Sequence, residues 1–420
     1  MPHLTRRSMC KVPEVTLYFW IIKVLCTTVG ETASDFLNVN LNFGLTGTSV
    51  VIGILLLIVL FFQFRSPQYT PGIYWITVVL ISIFGTLVTD NLTDSMGVPL
   101  EASTMFFSVV LALTFAIWYA KERTLSIHSI YTKRREIFYW LAILFTFALG
   151  TATGDLMAES LGLGYATTGI IICIVVTFIA IAWRLGLNPI LAFWLIYIMT
   201  RPLGASLGDY LSQPYKYGGI GLGATITSII FTSAILMAVI FLSITKHDQI
   251  NKESNKDELD IKHPGAAWQV AIVMVLLLIF SGSGYYWRHS VLQAEAKSAE
   301  MLASQLNNSS DSSFASPVTN NNISSHVAKI FSPLGDLSNF RTIIQDTLNL
   351  VNSGDLSAAK SRVADLEYEW DNAEAHLKPK SPVEWTKIDD RIDSVLRELR
   401  AVHQNAATCK SALMTLLAMI

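Results

Sequence analysis

The sequence predicts an all-α fold: a polytopic membrane helical bundle of four parallel two-helix repeats, a ninth transmembrane helix and a small extracytoplasmic helical bundle. Three observations predict it. Of the 420 residues, 52% are hydrophobic and only 15% charged, against about 25% charged in an ordinary soluble protein. Apolar runs long enough to cross a bilayer recur along most of the chain. A short pattern occurs four times: an aromatic residue and Trp, nine residues, Gly, four residues, Asp.

The copies are Phe19-Trp20, Gly30, Asp35; Tyr74-Trp75, Gly85, Asp90; Tyr139-Trp140, Gly150, Asp155; and Phe193-Trp194, Gly204, Asp209. One match would carry little weight. Four at identical offsets mark an internal repeat. The net charge of −2 provides no global basic field for nucleic acid. The four cysteines (Cys10, Cys26, Cys173 and Cys409) form no CxxC pair, so neither a disulfide framework nor a zinc ribbon is expected.

In chain order, residues 1–12 read as a cytoplasmic tail carrying Arg6, Arg7 and Lys11. The apolar run that follows has no small-residue cleavage site at its end, so it reads as a retained membrane helix. Eight spans are expected within residues 13–245, near 13–34, 46–64, 70–89, 102–120, 136–154, 164–184, 188–208 and 220–244. Residues 246–265 read as a cytoplasmic loop, 266–287 as the ninth span, 288–333 as a helical stalk with an Asn/Ser-rich linker, and 334–420 as an extracytoplasmic helical domain. Within that last part, helices are expected near 337–353, 356–377, 382–403 and from 406 onward. Ser381-Pro382-Val383-Glu384 is a well-formed helix start.

Lys and Arg set the expected orientation. They occupy the tail, the loop at 121–135 and the loop at 246–262, whereas the Asp-bearing loops hold only Lys216. The Asp ends are therefore expected to face outward across a cytoplasmic (inner) membrane. Two spans per repeat make the repeats parallel, so equivalent residues share one depth.

The chemistry gathers near the aspartates. Gly is followed four residues later by Ser34, Thr89, Gly154 or Gly208, a spacing that lets helices approach closely. Gly44, Pro99, Gly164 and Gly223 open the second spans, each followed four residues on by Thr48, Ser103, Thr168 or Thr227. Asp35, Asp90, Asp155 and Asp209 are the candidate ion-binding residues. Glu31, Asp94 and Glu159 add carboxylates, and Gln213 an amide, around them. Lys23 and Arg201 lie inside spans, where a charge is usually paired or functional. Trp20, Trp75, Trp140 and Trp194 read as packing or interface residues and Gly30, Gly85, Gly150 and Gly204 as packing devices. In the C-terminal part, Asp365, Glu367, Glu369, Asp371 and Glu374 form an acidic face near His376 and His403; a solvated helix surface is favoured there over a metal site.

Lys11-Val-Pro-Glu-Val-Thr, Gly30-Glu-Thr-Ala-Ser-Asp35, Thr89-Asp90-Asn-Leu-Thr-Asp94 and Thr200-Arg201-Pro-Leu-Gly-Ala-Ser-Leu-Gly-Asp209 resemble a family of uncharacterised bacterial membrane-anchored proteins. The resemblance covers residues 11–245. It implies four tandem two-helix repeats and an inner-membrane location, and it implies no activity.

Hard cations prefer oxygen ligands such as these carboxylates, hydroxyls and carbonyls. The expected function is a secondary transporter or exchanger of a small cation, possibly a divalent metal. The alternative is a membrane-anchored sensing or partner-binding protein acting through its extracytoplasmic domain. No catalytic constellation stands out, so no enzyme is expected. No cofactor is expected beyond a transported metal ion. The expected partners are the lipid bilayer and the small cation, with no nucleic acid.

Overall fold

A computed structural model describes residues 10–40, 44–96, 98–215, 218–248, 332–401 and 404–420, with isolated positions between 282 and 297. The tail up to residue 9, nearly all of the ninth span at 266–287 and the linker at 306–326 lie outside the described residues. Two compact units form: Met1–Ala158 with Gly164–Leu278, and Glu159–Leu163 with Ile279–Ile420.

The described secondary structure is helical. In the repeat region the helices are α1 (Leu17–Asp35), α2 (Gly44–Arg65), α3 (Pro71–Asp90), α4 (Leu100–Glu122), α5 (Lys133–Asp155), α6 (Tyr165–Arg184), α7 (Pro189–Ser212) and α8 (Ala224–Thr245). Seven of them, α2 to α8, are long and apolar enough to cross a membrane. The chain is a multi-pass membrane protein. Helix α1 has comparable length but carries Lys23, Glu31 and Asp35, and the fold explains why.

The odd-numbered helices form an inner ring in which α1 packs on α3, α3 on α5, α5 on α7 and α7 back on α1. The repeat glycines make each of these contacts. A Cβ at Gly30 would overlap Ser82 Oγ, and one at Gly85 would lie 2.8 Å from Phe147 Cβ. A Cβ at Gly150 would lie 2.5 Å from Arg201 Cβ, and one at Gly204 would overlap Thr27 Oγ1. Thr27, Ser82, Phe147 and Arg201 each stand three residues before their own repeat's glycine. The same contact is thus used four times around a closed ring.

The even-numbered helices surround this ring. Each packs chiefly on the first helix of the next repeat: α2 on α3, α4 on α5, α6 on α7 and α8 on α1. Sequence neighbours within a repeat are therefore not the main packing partners. Only 17–22% of the most apolar stretch of α2, α4, α6 and α8 is buried, against 56–67% for α3, α5 and α7. Exposed Leu57, Phe61, Ile174, Phe178 and Met237 suit an outer face against lipid. The charges of α1 point into the ring: Lys23 is 1% and Glu31 8% exposed.

At the Trp end the ring is filled and capped. Trp75, Trp140 and Trp194 are buried inside the protein rather than anchored at a lipid interface, and Trp20 is half-buried. They pack edge-on and tilted with Phe19, Tyr74, Tyr139 and Phe193. Tyr74 and Tyr139 share a hydroxyl hydrogen bond of 2.6 Å. Cys10, Lys11 and Val12, assigned by sequence to a free tail, are buried beneath this layer. The Lys11 amide donates to Ile130 O, the Tyr69 amide to Cys10 O and the Glu14 amide to Asp248 O. Lys11 Nζ pairs with Glu136 Oε2 at 2.7 Å and donates to Phe64 O at 3.0 Å. Tyr69 donates to Asp248 Oδ2 at 2.5 Å.

The C-terminal unit contains α9 (Ser338–Ser353), α10 (Leu356–Leu377), α11 (Pro382–Arg400) and α12 (Ala406–Leu417). Its core holds Phe340, Ile344, Leu366, Val395 and Leu413, with Trp370 and Trp385 stacked at 4.0 Å between centroids. The acidic face is paired: Asp365 with Arg362, Glu367 with Arg400 and Glu374 with Lys378. His403 lies outside the described residues. This is a charged helix surface, and among the described residues no group of three His, Cys, Asp or Glu side chains is placed to hold a metal.

Two outcomes follow from the packing. Gly30→Ala is expected to lower stability in detergent by about 1–3 kcal/mol, and adding Ser82→Gly to recover part of it, in thermal unfolding. At the cap, burial pushes the Asp248 carboxyl above the usual carboxylate range, and the bond from Tyr69 opposes this. The folded state therefore holds that proton more tightly than the unfolded chain does. The stabilisation is complete below the ordinary carboxylate range and is lost as pH rises through the raised value. Hydrogen exchange at the Glu14 amide, corrected for intrinsic rate, is expected to quicken over that rise and to stay slow in Asp248→Asn. Tyr69→Phe is expected to weaken the cap by about 1–3 kcal/mol.

Candidate functional site

The site lies at the Asp end of the ring. Asp35, Asp90 and Asp155 are the last residues of α1, α3 and α5, whereas Asp209 lies within α7. After each of the first three aspartates the backbone widens into a π turn: Phe36–Asn40, Asn91–Ser95 and Leu156–Ser160. Such turns insert an extra residue and are frequent at functional sites. In the fourth repeat α7 continues as α-helix to Ser212. The second helices then start from glycines in the left-handed region in three repeats, Gly44, Gly164 and Gly223, with φ of 69°, 72° and 77°. Pro99 replaces the glycine in the second repeat, at φ −55°. Thr48, Ser103, Thr168 and Thr227, one turn into the second helices, are wholly buried.

Electrostatic interactions link Asp35 with Asp90, Asp90 with Asp155 and Asp155 with Asp209. Asp35 feels the charges of Glu31, Arg201 and Asp94. Asp90 feels Asp94, Glu31, Asp35 and Arg201, and Asp155 feels Glu31, Asp90, Asp209 and Arg201. Asp35, Asp90 and Asp155 are half-buried and Asp209 is 8% exposed. Asp94 is exposed and accepts from Thr93 Oγ1 at 2.9 Å. Glu159 is half-buried on the third π turn. Gln213, just past α7, is buried.

Arg201 closes the floor. Its side chain is fully buried. Nη2 pairs with Glu31 Oε2 at 2.6 Å and also donates to Thr86 Oγ1. Nη1 donates to Thr27 O at 3.0 Å and Nε to Thr151 Oγ1 at 3.1 Å. One guanidinium on α7 thus bonds α1, α3 and α5 together. Glu31, Thr86 and Thr151 each follow their repeat's glycine directly, and Ala205 fills the fourth position. Thr86 and Thr151 were not singled out by sequence. Their shared offset with Glu31 was the signal available.

Lys23 is one layer further from the aspartates. Its Nζ lies 3.8 Å from the centroid of the Phe147 ring and 4.2 Å from that of Tyr197. It is buried rather than extended toward the membrane surface, and among the described residues it pairs with no carboxylate.

The family model of a Repeat of Unknown Function (DUF347) matches four times, at residues 18–69, 73–124, 138–185 and 192–248. The chain belongs to this repeat family. Each match to the DUF347 repeat begins within a few residues of an inner helix and ends just past an outer one, so the matched unit is one inner helix with the outer helix that follows it. Comparison with curated proteins and with solved structures finds no match.

Removing the guanidinium alone strands a buried carboxylate. Arg201→Met is expected to destabilise the purified protein by about 3–5 kcal/mol, and Arg201→Met with Glu31→Gln by much less. Chemical or thermal unfolding in detergent reads the difference.

Proposed function

We propose that the protein is a secondary transporter or exchanger of a small cation, which enters at the Asp end. The observation that carries this is charge balance. Among the described residues, Asp35, Asp90, Asp155 and Glu31 share the field of one guanidinium, that of Arg201, which pairs with Glu31. Such a cluster needs further positive charge, as bound protons or a bound cation. The π turns that follow three of these aspartates add backbone carbonyls at the same end of the ring, and oxygen is the ligand chemistry of hard cations.

The axis below the carboxylates is filled by Arg201, Lys23, the Tyr74–Tyr139 pair and the capping segment. A filled axis favours exchange through a conformational cycle over a standing pore. Among the described residues no three His, Cys, Asp or Glu side chains are placed to hold a metal ion. That favours a cation held by the summed field of the cluster over a tightly chelated divalent metal. The bias of Lys and Arg in the loops supports an inner-membrane orientation with the Asp end outward.

Tracer uptake into proteoliposomes, with Na⁺ and Mn²⁺ as probes, tests the reading. Asp90→Asn combined with Asp155→Asn is expected to bring uptake to the protein-free background. Wild-type uptake at background, or a double variant that transports as well as wild type, overturns it.

A further inference from the structure

Lys23 sits where a fixed charge has little to gain. It is mid-helix in α1, 1% exposed, with its ammonium between the faces of Phe147 on α5 and Tyr197 on α7. Among the described residues its Nζ meets no hydrogen-bond acceptor. The repeat-equivalent positions hold Val78, Ile143 and Tyr197, all fully buried. The charged and titratable groups around it are Cys26 on its own helix and Arg201 and Tyr197 on α7. Helix α5 offers Phe147, and α3 carries Val78 at the matching level. Among the described residues no carboxylate bonds its Nζ, and the charge that acts on it from α7, that of Arg201, is another cation.

A purely structural side chain here would carry no charge, as Val78, Ile143 and Tyr197 carry none in the other repeats. A permanently charged one would be paired, as Arg201 is. Lys23 is neither. A side chain that can gain and lose its charge does fit the place, because two ring faces accommodate both the ammonium and the neutral amine.

We propose that Lys23 is a proton-binding site that couples proton release to cation binding at the aspartate cluster. The inference rests on the cation-exchange reading above. Arg201 is the link: it touches Glu31 in the cluster and repels the Lys23 ammonium. A cation arriving among the carboxylates weakens their screening of Arg201 and adds its own repulsion. One N–H bond of the ammonium then breaks, the nitrogen keeps the electron pair and the proton leaves to water. When the cation departs, the amine takes a proton back. Each monovalent cation bound releases one proton, so charge inside the ring is conserved.

The test uses the purified full-length chain in weakly buffered detergent solution, pulsed with NaCl or MnCl₂. Choline chloride is the control for ionic strength. A pH-indicator dye reads proton release, and tracer retention reads binding. Wild type is expected to bind a probe cation and release protons. Lys23→Met, permanently neutral, is expected to bind more tightly than wild type without release. Lys23→Arg, permanently charged, is expected to bind more weakly, also without release. From the Coulomb energy of two charges a few helical turns apart, each change in affinity is about tenfold. Size-exclusion profiles identify any variant that fails to fold, and the opposite shifts of the two variants keep the outcome readable from either one. Wild type that binds without proton release, or Lys23→Met that releases as wild type does, overturns the inference and leaves the exchange reading standing. Wild type that binds neither probe overturns both.

Discussion

The inner ring depends on a backbone-to-side-chain approach that only glycine permits. At Gly30, Gly85, Gly150 and Gly204 the next helix comes so close that a methyl group would collide with it. This approach brings the axes together around one line. At the level of Glu31, Thr86 and Thr151 that line is occupied by the long side chain that α7 supplies as Arg201. The guanidinium returns the favour by bonding the other three helices. Close packing without Arg201 would leave Glu31 buried and unpaired. Arg201 without close packing would not reach all three neighbours. The electrostatic links between neighbouring aspartates depend on both.

The symmetry is in the backbone and its violation is in the side chains. Three residues before the glycine stand Thr27, Ser82, Phe147 and Arg201, and one residue after it Glu31, Thr86, Thr151 and Ala205. Each set closes a layer of the ring with unlike chemistry. A strictly fourfold protein would place four arginines or four glutamates on the axis, at a prohibitive electrostatic cost. Divergence among the copies lets one guanidinium, one glutamate and two hydroxyls occupy one centre. The Asp position is the exception, since all four copies keep it.

Much of the fold was legible from the chain. Spans and repeats follow from apolar runs and the Trp-Gly-Asp offsets, because bilayer thickness and helical rise leave few other readings. The C-terminal helices were legible from their amphipathic pattern and from the Ser381-Pro382 start of α11, where Pro382 takes the first position but Ser381 makes no side-chain cap bond. What was hidden is which helix meets which. The pairing of α2 with α3, or α8 with α1, leaves no trace in local periodicity. The π turns were hidden too, since they arise from how the chain leaves a crowded ring. Lys11 read as a tail charge because Glu136, its partner, lies 125 residues away. At the site, Asp35 and its equivalents were found by repetition, whereas the hydroxyls of Thr86 and Thr151 were hidden among many similar residues in apolar helices.

The outer helices carry a consequence for how the protein is made. Because each clasps the repeat that follows, and α8 clasps α1, the ring stays open until the last repeat has entered the membrane. Glu31 and Arg201 are 170 residues apart, about 10–35 s of synthesis at ordinary elongation rates. Throughout that interval α1, with Lys23 and Glu31 in its flank, has no finished pocket in which to hide them. Helix α1 is therefore made well before the α7 and α8 that house it.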